Sequence, residues 1–398
     1  MNRREFVTSS LVAPAAAVAM QSERATTGQS SGKASLRDKF FGCIVGVHAG
    51  SALKGPCEGW PWQEIERKFG TIDHFLSYQD YHNGWTREPG TTEDGVERQK
   101  FMITAIIEKK DRVTAEDVRA MWVRDMDPKA PGMISEPFEA VLLAMAKSGL
   151  PACDIGRYCD YAGLVSMSRS CHALGLINAG DIEGAVEDVF EVGQLYQTTN
   201  SRGLQWAAIV GIAIASATKP GATVDSVIGD VLKGHPRLVP RRLDDSQAYL
   251  RSNVTAEIER GLELTKKCQD FREMRVAFDV VYSGTGIPYA VSFANEVVTK
   301  ALCVFNMTKG STKDSIISGV NMGRDTDCLA AVAGGISGSL TGAGSVPEEW
   351  IRQVDYATTK MPITCSRRTL RQSADGLYDA YRARLARLGG YVTQMEAA

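Results

Sequence analysis

The stretch that most constrains this chain is Leu329-Ala-Ala-Val-Ala-Gly-Gly-Ile-Ser-Gly-Ser-Leu340, which follows directly on Asn321-Met-Gly-Arg-Asp-Thr-Asp-Cys328. Ala330, Gly334, Gly338 and Gly342 recur at every fourth position and would give a helix one face almost without bulk. Each glycine inside a helix costs about 1 kcal/mol relative to alanine, so close packing against another backbone has to offset the loss. Asp325 and Asp327 then sit at the helix N-terminus, where the dipole favours negative charge. A single aspartate there reads as a cap. Two, at i and i+2, ahead of so confined a helix also suit a hard cation, because Mg²⁺ and Mn²⁺ take carboxylate oxygens.

A second acidic stretch, Pro89-Gly-Thr-Thr-Glu-Asp-Gly95, runs into a helical pattern with Val96, Ile103, Ile106 and Ile107 on its inner side. Two acid-bearing helix N-termini, far apart in the chain, would meet across one cavity. Such a cluster repels itself unless cations hold it together.

Elsewhere helical patterns dominate. Leu36 to Ala52 reads as a first helix with Gly42, Gly46 and Gly50 on one side, and Trp62 to Phe75 as a short amphipathic piece. An aromatic, turn-rich run carries Tyr78, Tyr81, His82 and Trp85 ahead of the acidic stretch. Thr114-Ala-Glu-Asp117 is a capping-box start, Ser135-Glu-Pro-Phe138 opens a helix to about Lys147, and Asp181–Tyr196, Leu204–Ala217 and Phe293–Phe305 are further helices. Trp206, Trp350 and the Ile209–Ile214 run read as core. Ser283-Gly-Thr-Gly286 lacks the strand and helix that a nucleotide-binding loop requires. No hairpin or alternating strand–helix pattern stands out, so the expected fold is all-α: a single large helical domain with a central metal-binding cleft.

The N-terminus falls outside that fold. Met1-Asn-Arg-Arg-Glu-Phe6 and the alanine-rich run after it predict a twin-arginine signal peptide and polar spacer over residues 1–35, hence export to a periplasmic or extracellular location. The helical domain is expected over 36–360, with a C-terminal helical extension over 361–398 packed on or trailing it. No later stretch is long and apolar enough to span a bilayer. A net charge of −2 gives no footprint for nucleic acid or a polybasic membrane patch. The nine cysteines include no CxxC pair and the five histidines are scattered, which argues against zinc. Outside the cell, the expected location leaves room for one disulfide involving Cys153, Cys159 or Cys171.

Thr92-Glu93-Asp94, Asp325-Thr326-Asp327 with its small-residue helix, and Gly50-Ser-Ala-Leu53 with Pro56-Cys-Glu58 together resemble the ADP-ribosylglycohydrolase family over roughly residues 36–355. The third of these matches a family pattern close to G-D-A-L-G-x-P-x-E. The resemblance implies an all-α domain, a binuclear Mg²⁺ or Mn²⁺ centre, and hydrolysis of the glycosidic bond of ADP-ribose conjugates, with the ions orienting the ribose diol and activating water. It also implies Thr92, Glu93, Asp94, Asp325 and Asp327 as metal ligands, with Glu58 and Asp94 as catalytic groups. Asp160 and Tyr161 are expected at the substrate.

This chain departs from the family pattern in several places. Cys328 stands where the family carries Thr or Ser, Glu93 where it carries Asp, and Ser51 where it often carries Asp. The middle motif is only faintly echoed by Gly163 to Arg169. Two other readings therefore stand beside the first: a hydrolase of another N- or O-glycoside such as a nucleoside-like metabolite, or an inactive ADP-ribose-binding or structural relative. In each, the partner is a small molecule or an ADP-ribosylated substrate, and the oligomeric state is open.

Overall fold

The small-residue ridge does meet a second backbone. In the computed structural model, which describes residues 34–79, 84–130, 133–134, 137–199, 201–238, 253–282, 292–361 and 366–397, the helix Thr326–Thr341 lies against the helix Leu36–Leu53. A Cβ on Gly46 would fall inside the Gly334 carbonyl, and one on Gly50 would stand 2.5 Å from the Ala330 oxygen. Gly42 and Gly338 bear the same relation. The lost helix propensity is thus offset by an approach that any side chain would block. Gly342 takes φ 76° and ends the helix, yet still completes the ridge: its carbonyl carbon would stand 2.4 Å from a Cβ on Gly42.

In chain order the elements begin with α1 (Leu36–Leu53) and α2 (Trp62–Phe69), then an antiparallel ribbon of β1 (Tyr78–Gln79) and β2 (Thr86–Arg87). Next come α3 (Asp94–Lys109), α4 (Ala115–Asp125), α5 (Pro137–Lys147), α6 (Ala152–Ile155), α7 (Ser166–Ser170), α8 (His172–Ile177) and α9 (Ile182–Gly193). The rest are α10 (Arg202–Ala217), α11 (Val224–Lys233), α12 (Val254–Thr265), α13 (Phe271–Asp279), α14 (Ala294–Met307), α15 (Thr312–Val320), α16 (Thr326–Thr341), α17 (Glu348–Lys360) and α18 (Leu370–Glu396). The fold is all-α, as expected, and residues 34–398 form one compact unit. Helices α1, α10 and α16 are apolar nearly all round and fill its centre. Trp206 and Trp350 are buried there or against it.

Local chemistry sets the boundaries. Capping boxes at Ser35/Asp38 and Thr114/Asp117 open α1 and α4. Helix α2 stops at Phe69, short of the expected Phe75, because Gly70 turns to φ 70°. The β1–β2 ribbon was not expected from the sequence: it is two residues long, with Tyr78 opposite Arg87, too short for any period to show. Helix α18 packs by its first turns, with Phe40 between Tyr378 and Tyr381 at 5.5 and 5.7 Å, while Leu385, Leu388, Tyr391 and Val392 lie exposed beyond. Among the described residues no helix is long and apolar enough to cross a membrane. Cys153, Cys159 and Cys171 are free thiols, so the disulfide allowed for them does not form. The twin-arginine start, Tyr81, His82, Ser135, the Ser283–Gly286 run and Cys365 lie outside the described residues.

A candidate metal centre between two helix N-termini

Asp325 is delivered by a constrained turn. Gly323 and Arg324 both take the left-handed conformation, at φ 74° and 65°, the second without a glycine's freedom. Glu296 of α14 holds Arg324 there through two charged hydrogen bonds of 2.6 and 2.8 Å. The same turn is tied to the loop bearing Glu58: the Arg324 N–H donates to the Trp60 carbonyl and the Gly59 N–H to the Arg324 carbonyl, at 2.7 and 2.8 Å. Asp325 then caps α16, its Oδ1 accepting the Cys328 N–H at 3.2 Å. Its Oδ2, and Oδ1 of Asp327, have no hydrogen-bond partner among the described residues although both side chains are buried. Ligand atoms of Asp325, Asp327 and Cys328 lie within 4.8 Å of one another.

The other N-terminus, that of α3, is populated by cations. The N–H of Glu93 donates to Ser51 Oγ of α1 at 3.2 Å, which fixes the two helices together. Glu93 Oε1 accepts the Tyr78 hydroxyl at 2.6 Å and lies 3.2 Å from Lys54 Nζ, and Oε2 lies 3.1 Å from Arg87. The ribbon exists here to bring Tyr78 and Arg87 onto one carboxylate. Asp94 accepts from Arg169 of α7 at 2.5 Å and lies 3.6 Å from Arg98, which in turn makes a buried pair with Glu139. Gly95 makes room for Arg169, since a Cβ there would overlap its side chain. Thr92 Oγ1 donates to Glu97 at 2.9 Å.

The two termini meet. Arg169 spans from Asp94 to within 3.7 Å of Cys328 Sγ, and Lys54 pairs with both Glu93 and Glu58. Glu58, Glu93, Asp94, Asp325 and Asp327 are therefore gathered at one place, while Thr92, expected as a ligand, turns its hydroxyl to Glu97. Asp160 and Tyr161 are not built into this cluster in the same way: Asp160 is exposed, and Tyr161 sets its ring edge-on to Phe138 at 5.3 Å.

Electrostatics separate the acids. Burial, reinforced by Asp325 and Glu93 against the pull of Lys54, pushes Asp327 up to about 7. Burial, then Glu58, raises Asp325. Burial also lifts Glu58 to about 7, although Lys54 opposes it and 27% of the side chain meets solvent. Burial likewise favours the neutral form of Asp94, but Arg169 and Arg98 outweigh it and hold that carboxyl below its ordinary range. Cys328 is raised well above a normal thiol by burial and the neighbouring carboxylates, so it stays protonated. A neutral thiol is a poor partner for a hard cation.

Asp325 and Asp327 fit a divalent cation: two close, buried carboxylates each keep an oxygen without a donor. The carboxylates of Glu93 and Asp94 already face protein cations. Lys54, Arg87 and Arg98 were not singled out from sequence, and Tyr78 only as one of the aromatics ahead of the acidic stretch. The one available sign was Lys54 itself, a basic residue between Leu53 and Gly55 where the family pattern has glycine.

The sequence profile of the ADP-ribosylglycohydrolase family matches residues 32–386. An uncharacterized protein of Archaeoglobus fulgidus is 24% identical over 322 residues, covering 79% of this chain and 91% of its own length. The uncharacterized protein YegU of Escherichia coli is 21% identical over 318 residues, covering 78% and 89%. Among solved structures, an ADP-ribosylglycohydrolase-related protein complex superposes with a TM-score of 0.57 at 15% identity, over 87% of this chain and 98% of that one, a likeness of fold. The family match supports a glycosyl-hydrolase-like function. With most of its length matched and the family's acidic motifs brought together, the chain belongs to the ADP-ribosylglycohydrolase family.

Proposed function

We propose that this protein hydrolyses the glycosidic bond of ADP-ribose conjugates with the help of Mg²⁺ or Mn²⁺. The observation that carries the reading is the buried Asp325–Asp327 pair, with its two donor-less oxygens, beside a second acidic helix N-terminus. Asp325 and Asp327 would hold the ion. When bound, it supplies a positive charge that orients the ribose diol and makes a water more acidic.

This chain's own residues do the rest. Glu58 is partly open to solvent and burial lifts its carboxyl above the ordinary range, so it can give a proton to the departing group or take one from the attacking water. Asp94, held ionised by Arg169 and Arg98, offers fixed negative charge as positive charge develops on the sugar ring. One carboxyl is pushed up and one is held down, the division of labour expected of a proton carrier and an electrostatic stabiliser. Water adds at the anomeric carbon, the bond to the acceptor breaks, and the acceptor leaves with a proton.

A second reading, another N- or O-glycoside as substrate, is favoured by Arg169. It closes the Gly163–Arg169 segment, where the family's middle motif is only faintly echoed, and its guanidinium lies on Asp94. The test is to incubate the purified chain with Mn²⁺ or Mg²⁺ and a panel of ADP-ribosyl-arginine peptide, ADP-ribosyl-serine peptide and nucleosides. Release of free ADP-ribose from a peptide, stopped by chelator, is the expected result. Release of base or sugar from nucleosides alone selects the second reading. No hydrolysis by protein that melts cooperatively sinks both.

A further inference from the structure

We propose that this centre takes one divalent cation and that Lys54 stands in for a second. The inference deepens the metal-assisted reading above and rests on it only for the presence of an ion. Six carboxylates line the site: Glu58, Glu93, Asp94, Glu139, Asp325 and Asp327. The pairs close around four of them. Lys54 and Arg87 face Glu58 and Glu93, Arg169 lies on Asp94, and Arg98 on Glu139.

Asp325 and Asp327 are left over. Their two negative charges match one divalent ion and half of what two ions bring. The donor-less oxygens tell the same story, because they belong to this pair and not to Glu93 or Asp94. A second ion beside Glu93 would have to push aside the Lys54 ammonium, which is 3% exposed and would keep only Glu58 of its two carboxylates while facing the ion's own charge.

Lys54 also arises where a cation could be added with little rearrangement. It follows the last turn of α1, and Gly55 at φ 52° turns the chain away just behind it. The ammonium therefore reaches Glu58 four residues on and Glu93 across the cleft from one fixed position. A covalently attached cation costs no binding entropy and cannot be removed by chelator, which leaves Asp325 and Asp327 as the part of the site that answers to metal.

The test counts ions on the full chain without any substrate. Titration with Mn²⁺, read by equilibrium dialysis and by electron paramagnetic resonance, should give one ion per chain and the six-line spectrum of an isolated Mn²⁺. Lys54→Met, which keeps the length and removes the charge, should admit a second ion and produce the broadened spectrum of a coupled pair. Lys54→Gln serves if that variant fails to fold, and the wild-type count stands by itself. Two coupled ions in the wild type overturn the proposal, as does no ion at all, or a count unchanged by both folded Lys54 variants. One ion with no glycosidic activity leaves this inference standing and removes the hydrolase reading; two ions with activity do the reverse.

Discussion

Helices α3 and α16 begin alike, with acids at the first turn of a buried helix, yet their carboxylates meet opposite surroundings. At α3, Glu93 and Asp94 are met by Tyr78, Lys54, Arg87, Arg169 and Arg98. At α16, Asp325 Oδ2 and Asp327 Oδ1 meet no donor among the described residues. The same residue type in the same local position is paired with protein cations in one case and keeps donor-less oxygens in the other. What decides is the charge brought by distant elements. An acidic cap is thus informative about chemistry only once its partners are known.

The largest effect should come from the scaffold both termini share. Gly46→Ala places a methyl group inside the Gly334 carbonyl, where backbone on both sides leaves nothing to rotate away. Its cost should exceed about 3 kcal/mol, beyond ordinary overpacking, and appear as loss of soluble or cooperatively melting protein. A variant melting within a few degrees of wild type would show that the ridge contact is not what seats the two termini.

Next, the two termini should part in a single comparison. Asp325→Asn with Asp327→Asn should abolish the rise in Tm that Mn²⁺ gives and lower turnover at least about a hundredfold, since the ion's charge stabilisation is worth several kcal/mol. The fold should persist, because two buried like charges are removed. Arg169→Met should do the converse. It strips Asp94 of its nearest cation and costs about 3 kcal/mol of stability while Mn²⁺ still raises Tm. If both variants lose the Mn²⁺ response to the same extent, the contrast between the termini is wrong.

Much of this was readable from the chain, for a physical reason. Helix periods, caps and the four-residue spacing of small residues are local, so α1, α4, α10 and α16 and both acidic starts show in the sequence itself. The cations were not readable, because Lys54 meets Glu93, and Arg169 meets Asp94, across long stretches of chain with no periodic signature. The ribbon carrying Tyr78 and Arg87 is too short to announce itself. Asp160 and Tyr161 illustrate the same limit. Adjacent residues in a turn-rich segment carry no period to say which way they face, and Tyr161 turned to Phe138.

The smallest expected effect is also the most direct reading of the contrast, because the two aspartates should respond to pH with opposite sign. Asp94 is held below its unfolded pKa, so its contribution is present above about pH 4 and is lost only as pH falls further. Asp327 is raised to about 7, so the metal-free fold holds its proton more tightly than the unfolded chain does. Stability from that group is therefore full below about pH 4 and drains away as pH rises through 7. Chelator-treated wild type should lose on the order of 2 kcal/mol between pH 5 and 7.5 relative to Asp327→Asn, and Mn²⁺ at pH 7.5 should restore it. Buried His172, pulled down to about 3 by burial, gives a slope of the opposite sign that both proteins share. Glu58, lifted to about 7 by burial and in part by Asp327, titrates in the same window, so the difference reads Asp327 together with its hold on Glu58. Urea unfolding of the two proteins at the two pH values measures that difference; equal slopes would mean that Asp327 finds a compensating partner in solution and that α16 is as fully paired as α3.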